Sequence, residues 1–248
     1  MRTVGALLAS LVLLAGCVAG GPGDANGGAV RVFAAASLTD VLPAIAADFQ
    51  AANPGLTVQL QFAGSTTLAH QINEGAPADV FASAGPDPMA TVVRAGGAAG
   101  KPRVFARNAL VIGVPAGNPM GVTGLPELAA PGVRVAACAE PVPCGAVAGR
   151  AMRAAGVALT PVTLEQDVRA VLAKLRLGEV DAGLVYRTDI VGDDIEAVEL
   201  TPPVTTDYQT VVVAGASDLA AAERFVAYLL SDPAATALTD AGFEVPRP

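Results

Sequence analysis

From residue 30 onward the chain alternates between short apolar runs of strand type and longer runs with helical spacing, and that rhythm leaves few folds open. Residues 30–35, 56–62 and 79–83 read as strands, and 38–52, 66–74 and a stretch near 88–95 as the helices between them. Strands joined by helices in this order imply a parallel sheet covered on both faces. The rhythm continues with strands at 110–115, 134–137, 182–186 and 210–214. A helical turn is expected at 125–128, and helices at 144–155, 167–177, 219–230 and 233–241. Gly75, Gly156 and Gly178 stand where helices must stop. Pro43 lies inside the first helix and has no N–H to give, so the regular ladder is expected to begin near Thr39 or Asp40, after a distorted first turn.

Four segments place small or hydroxylic residues where a helix begins. They are Ala36-Ser37-Leu38-Thr39-Asp40, Gly64-Ser65-Thr66-Thr67, Pro143-Cys144-Gly145-Ala146 and Gln166-Asp167-Val168-Arg169. A helix start exposes unpaired N–H groups and the positive end of the helix dipole. Four such ends facing one cleft would hold a small anion with neutral donors. Taken singly, Ser37 with Asp40 reads as an ordinary Ser-x-x-Asp cap, and Ser65 as a cap with polar neighbours. Both, however, follow a strand, and the carboxyl ends of strands are where ligands bind in such sheets.

Bulk properties exclude several functions. The chain has 248 residues, is 52% hydrophobic and 15% charged, and carries a formal net charge of −8. It lacks the basic stripe that neutralising phosphates requires, so nucleic acid is not an expected partner. The charge also gives no long-range attraction for an anion, so an anion site must work through local dipoles. No catalytic set emerges. There is no Gly-x-Ser-x-Gly elbow, no phosphate-binding Gly-rich loop and no paired acids, and the single histidine, His70, reads as a helix-surface residue.

The N-terminus directs the chain out of the cytoplasm. A short charged start, an apolar run over 4–14 and Leu14-Ala15-Gly16-Cys17 resemble a lipoprotein signal, in which Cys17 becomes the lipidated first residue. Residues 1–16 then form the signal peptide and 17–29 a flexible tether rich in glycine. Cys138 and Cys144 remain. Outside the cytoplasm a disulfide is the simplest reading of the pair, and it would set the loop's shape more than the fold's stability. A reactive thiol pair, as in a thiol oxidoreductase, and half of a metal site are the alternatives, although the spacing fits no zinc pattern.

Six segments in order resemble the periplasmic molybdate-binding proteins, the solute-binding components of molybdate ABC transporters. They are Val32-Phe33-Ala34-Ala35-Ala36-Ser37-Leu38-Thr39, Phe62-Ala63-Gly64-Ser65-Thr66-Thr67-Leu68, Gly75-Ala76-Pro77-Ala78-Asp79-Val80-Phe81, Val142-Pro143-Cys144-Gly145, Asp167-Val168-Arg169 and Gly183-Leu184-Val185-Tyr186. The resemblance covers residues 30–245. It implies a two-domain α/β fold of the type II periplasmic-binding-protein class, each domain a mixed sheet flanked by helices, with the ligand in the cleft between them. The first domain would take 30–106 plus 213–248, and the second 107–212.

The resemblance implies that molybdate or tungstate is held by Ser37 and Ser65 through side chain and backbone, by the backbone N–H groups of Cys144 and Val168, and by the Tyr186 hydroxyl. No cofactor and no direct metal ligand is implied, since these residues meet only the oxyanion's oxygens. Cys144 departs from the alanine common at that position, but a backbone donor does not depend on the side chain. The implied partners are a membrane permease and its ATPase, with the protein a monomer held to the membrane through Cys17. A sulfate-binding or other oxyanion-binding protein is the nearest alternative. A ligand-sensing domain of a regulator is disfavoured by the export signal.

Overall fold

The computed structural model describes residues 28–246. The signal peptide, Cys17 and nearly all of the tether lie outside the described residues. The elements run β1 (Ala29–Ala35), α1 (Leu42–Ala52), β2 (Thr57–Ala63), α2 (Ser65–Asn73), β3 (Val80–Ala84), α3 (Pro86–Arg94) and β4 (Ala98–Pro115). They continue with β5 (Val135–Cys138), α4 (Pro143–Ala155), β6 (Thr163–Glu165), α5 (Val168–Arg176), β7 (Ala182–Tyr186), β8 (Ile195–Val213), α6 (Leu219–Leu229) and α7 (Asp232–Asp240). Short 3-10 turns follow β1 and β7, and another spans Pro126–Ala129.

The eight strands of the described residues share one sheet in the order β2-β1-β3-β8-β4-β7-β5-β6. β2, β1 and β3 pair in parallel, as do β6, β5 and β7, which is the arrangement the strand–helix alternation predicts. The sheet is nevertheless mixed, because β8 runs antiparallel to β3 and β4 runs antiparallel to β7. β4 and β8 are far longer than the apolar runs 110–115 and 210–214 suggest, at 18 and 19 residues. They pair with each other along nearly their whole length and stitch the two parallel halves together. The missed portions carry Lys101-Pro102-Arg103 and Thr201-Pro202-Pro203, which break any apolar or alternating pattern. The register shifts at these places, so the ladder passes the prolines without needing their N–H groups. β6 is a further strand the apolar pattern does not show, being three residues of mixed exposure.

Burial separates into cores on either side of this stitch. One core draws on residues between Leu110 and Leu200, and Ile112 of β4, Val147 of α4, and Val171 and Leu172 of α5 are among its buried members. In the other half the sheet is covered on one face by α1, α6 and α7 around Leu42, Phe49 and Phe225, and on the other by α2 and α3 around Leu68, Phe81 and Val92. The expected distortion near Pro43 is present. Residues Ala36–Leu38 form a 3-10 turn, α1 starts only at Leu42, and Pro43 occupies its first turn, where no N–H is needed.

Candidate functional site

The two parallel halves present the carboxyl ends of their strands to one another, and every helix start singled out above lies on that seam. The 3-10 turn with Ser37 follows β1, and α2 with Ser65 follows β2. From the other half, α4 with Cys144 follows β5, α5 with Val168 follows β6, and Tyr186 is the last residue of β7. Ser37, Ser65, Cys144, Val168 and Tyr186 all line one small cavity. Its volume is ≈ 20 Å³. A single water needs roughly 10–15 Å³ on this measure, so with the halves as they stand the space suits a compact ion.

The donors are arranged by the local backbone. Ser65 is the first residue of α2, Cys144 the second of α4 and Val168 the first of α5. At those positions a helix supplies no acceptor for the N–H. Ser37 sits in the middle of its 3-10 turn, ahead of the first N–H that the turn can satisfy. Neither serine acts as a cap. The turn at Ala36–Leu38 and α2 have no side-chain cap bond. The Ser37 hydroxyl lies 2.7 Å from the Tyr208 hydroxyl, and Ser65 Oγ accepts the Ala84 N–H at 3.0 Å. Asp40, in place of a capping role, takes Arg169 at 2.7 Å.

The Tyr186 hydroxyl is buried and has no hydrogen-bond partner among the described residues. Burial first, then the neighbouring Tyr208 and Asp189, hold its pKa well above the ordinary tyrosine value, with Arg150 opposing. The group therefore stays an O–H, an unsatisfied donor on the cavity wall. Its place is set from behind: the backbone N–H of Tyr186 donates to Asp189 Oδ2 at 3.0 Å.

Among the described residues, Asp167 is the one carboxylate on the cavity wall. Its Oδ1 is turned onto its own helix, where it accepts the Ala170 N–H at 3.0 Å. The loop that carries Cys144 is closed by the disulfide Cys138–Cys144. Both cysteines are buried. Gly145 is required there, since a Cβ would stand 2.0 Å from the Ala139 carbonyl oxygen. His70 lies exposed on α2 and away from the cavity wall. Among the described residues no cluster of histidine, cysteine or acidic side chains could hold a metal ion directly.

The halves touch around the cavity. Thr66 Oγ1 donates to the Pro141 carbonyl at 2.9 Å, and Arg169 reaches Asp40 from the opposite half. Gly64 lies so near Gln166 that a Cβ would meet its carbonyl oxygen at 2.4 Å. Tyr208, Asp189, Arg169 and Gly64 are the residues that reasoning from spacing alone does not single out. Of these, Gly64 and Arg169 stand in the quoted turns Gly64-Ser65-Thr66-Thr67 and Gln166-Asp167-Val168-Arg169, and Tyr208 and Asp189 carried no local signal.

A mixed sheet whose two halves face each other across a donor-lined cavity defines a protein that captures a small solute. The chain belongs to the bacterial extracellular solute-binding protein family, whose profile matches residues 30–244. Among its relatives, the molybdate-binding protein ModA of Mycobacterium tuberculosis is 39% identical over 252 residues, covering 96% of this chain and 97% of that one. Of solved structures, the periplasmic molybdate-binding protein of Azotobacter vinelandii superposes with a TM-score of 0.71 at 20% identity, over 88% of this chain and all of the other. The sulfate-binding protein SubI of Mycobacterium tuberculosis gives a TM-score of 0.78 at 18% identity, over 89% and 88%. At such identities the two structures speak to the fold alone.

Proposed function

We propose that this protein binds molybdate, and tungstate with it, in the cavity between its two halves and delivers the anion to an ABC importer. The observation that carries the reading is the cavity wall itself. Neutral donors from both halves surround a space for one compact ion, and the carboxylate of Asp167 on that wall is engaged by its own helix. The relative at 39% identity is named for molybdate binding, which agrees with this ligand class.

Each proposed contact has a physical role. Ser37 and Ser65 offer a hydroxyl and a backbone N–H each; Cys144 and Val168 offer backbone N–H groups; Tyr186 offers its hydroxyl. Molybdate and tungstate are dianions without a proton at neutral pH, so all their oxygens accept. A protonated phosphate would bring an O–H that finds no acceptor, and a buried unpaired donor costs about 1–3 kcal/mol. Sulfate is also a pure acceptor and must be excluded by size, its oxygens lying closer to the centre than those of molybdate.

In this reading residues 30–106 with 213–248 and residues 107–212 act as two domains hinged on β4 and β8, and the ligand favours the closed form because only that form makes both sets of contacts. The closed form is what the permease receives, and a lipid on Cys17 keeps the protein, as a monomer, at the outer face of the membrane. The disulfide serves the binding loop, and both of its cysteines are buried, out of reach of the partner thiol that exchange would need.

Calorimetric titration of a form starting at residue 30 tests the proposal, with molybdate, tungstate, sulfate and phosphate in separate runs. One-to-one binding of the first two, with far weaker heats from sulfate and phosphate, is the expected result. Tight sulfate binding would replace the ligand while keeping the site. No heat from any of the four with a folded, ligand-free sample would refute the oxyanion reading.

A further inference from the structure

We infer that Tyr208 is a specificity-determining positioning residue: its hydroxyl donates to Ser37 Oγ and so commits the Ser37 proton to the ligand. The inference rests on the oxyanion reading of the cavity and adds to it a residue that does not line the cavity. Tyr208 belongs to β8, one of the two long strands joining the halves, and is fully buried. Its ring packs edge-on against Phe105, Phe243 and Tyr186. The hydroxyl is held 2.7 Å from Ser37 Oγ, and the pair is buried.

The direction of that hydrogen bond follows from the surrounding partners. Asn108 and Asp189 are the other polar side chains acting on the Tyr208 hydroxyl, and among the described residues Ser37 Oγ is the side-chain atom hydrogen-bonded to it. Asn108 Oδ1 is already taken by the Ala109 N–H at 3.0 Å, and its amide nitrogen donates to Thr188 at 2.7 Å. Asn108 therefore offers Tyr208 no free acceptor, Asp189 makes no hydrogen bond to it, and the acceptor within reach of the tyrosine proton is Ser37 Oγ. Burial keeps the tyrosine protonated, raising its pKa far above the ordinary value. With Oγ accepting from Tyr208, the Ser37 proton is free only toward the cavity. Ser65 is committed in the same way by the Ala84 N–H at 3.0 Å. A hydroxyl free to rotate can accept as well as donate. In these two the bond already made behind the oxygen leaves the cavity as the place for the proton, so each hydroxyl meets the ligand as a donor, and a wall of such donors is what refuses a ligand that carries its own proton.

Tyr208→Phe keeps the ring packing and removes only the polarising donor. The test titrates the parent and the variant at pH 8 with molybdate, and measures sulfate and hydrogen phosphate by displacement of molybdate. At that pH both competitors are dianions, and they differ in carrying a proton. The expected result is a roughly 3- to 10-fold loss of molybdate and sulfate affinity in the variant, the scale of one hydrogen bond, with hydrogen phosphate unchanged or tighter, so that the sulfate-to-phosphate ratio falls about 3-fold or more. In a Ser37→Ala background the same substitution should leave that ratio unmoved.

Equal weakening of all three anions, or no change, overturns the inference and leaves Tyr208 a packing residue. A parent that binds none of the three overturns the oxyanion reading itself, and does so before any variant is measured. Proton NMR of the parent gives an arm that needs no variant: a resolved Tyr208 hydroxyl proton with a cross-peak to the Ser37 β protons is expected, and an unresolved, solvent-exchanging hydroxyl overturns the assignment.

Discussion

Gly64→Ala should disable binding while leaving the fold nearly intact. Gly64 precedes α2 with φ −57° and ψ 132°, a conformation alanine adopts without strain. The obstacle is the opposite half, where the added Cβ would stand 2.4 Å from the Gln166 carbonyl oxygen, against an ordinary contact of 3.4 Å. The two surfaces must part by about 1 Å. A hydrogen bond of ordinary length stretched that far lies beyond the geometric limit.

The donors at risk are those of the second half, namely the N–H groups of Cys144 and Val168 and the Tyr186 hydroxyl. A hydrogen bond to a charged group contributes about 1.5–3 kcal/mol. Losing two of the three costs roughly 3–6 kcal/mol, a factor of about 10² to 10⁴ in Kd. The same substitution at a helix N-cap costs the ligand-free protein about 1 kcal/mol or less. Molybdate titration with a parallel thermal melt therefore separates the two effects. The account expects a Kd about 100-fold higher or more and a ligand-free Tm within a few degrees of the parent. A Kd within threefold of the parent would show that the 166 loop yields on its own, and would refute the reasoning that contact between the halves sets the affinity.

Two further outcomes follow from groups behind the cavity. The carboxyl of Asp189 is pushed up to about 7, chiefly by burial, with Asp40 and Asp167 adding to the rise and the Tyr186 N–H and Arg169 opposing it. The folded protein then holds this proton at pH values where the unfolded chain has released it. The contribution to stability is complete below about pH 4 and is lost as pH rises toward 7, at most about 4 kcal/mol. Urea midpoints at pH 5 and pH 8 should differ less in Asp189→Asn than in the parent, and an equal difference in both would contradict this. Removing the disulfide by Cys138→Ser with Cys144→Ser should cost about 2 kcal/mol of stability for so short a loop, and should weaken molybdate several-fold because the Cys144 N–H loses its fixed loop. Unchanged molybdate affinity would show that α4 alone holds that donor.

Ser37, Ser65, Cys144 and Val168 lie in segments legible in the chain as helix starts and Tyr186 at the end of a legible strand, while the resemblance supplied the part each would play. A pattern of that kind depends on backbone propensities within a few residues, and those survive into the structure. The long strands were not legible in the same way. The proline- and charge-bearing stretches at 101–103 and 201–203 have no strand signature, and they join the ladder only because β4 and β8 offer each other partners about a hundred residues apart. Tyr208 and Asp189, and the partner of Arg169, were hidden for a related reason. Arg169 meets Asp40 only once the halves have come together, Tyr208 reaches Ser37 across 171 residues of chain although both belong to the same half, and only the step from Asp189 to Tyr186 is short. Asp40 shows how a local pattern misleads. Three residues after Ser37 it looks like part of a cap, yet it pairs across the seam with Arg169. At 62% side-chain exposure for Asp40 that pair contributes little to stability, so its position on the seam matters more than its energy.

The central claim is that one molybdate ion sits between the two halves, on donors supplied by both. Anomalous diffraction from crystals grown with molybdate, collected on either side of the molybdenum absorption edge, tests it without reference to any variant. The account predicts a single strong peak enclosed by Ser37, Ser65, Cys144, Val168 and Tyr186, within hydrogen-bonding reach, through the anion's oxygens, of the hydroxyls and backbone nitrogens named above. A peak on any other surface of the protein, or a cavity filled by sulfate while molybdate is in excess, would contradict it.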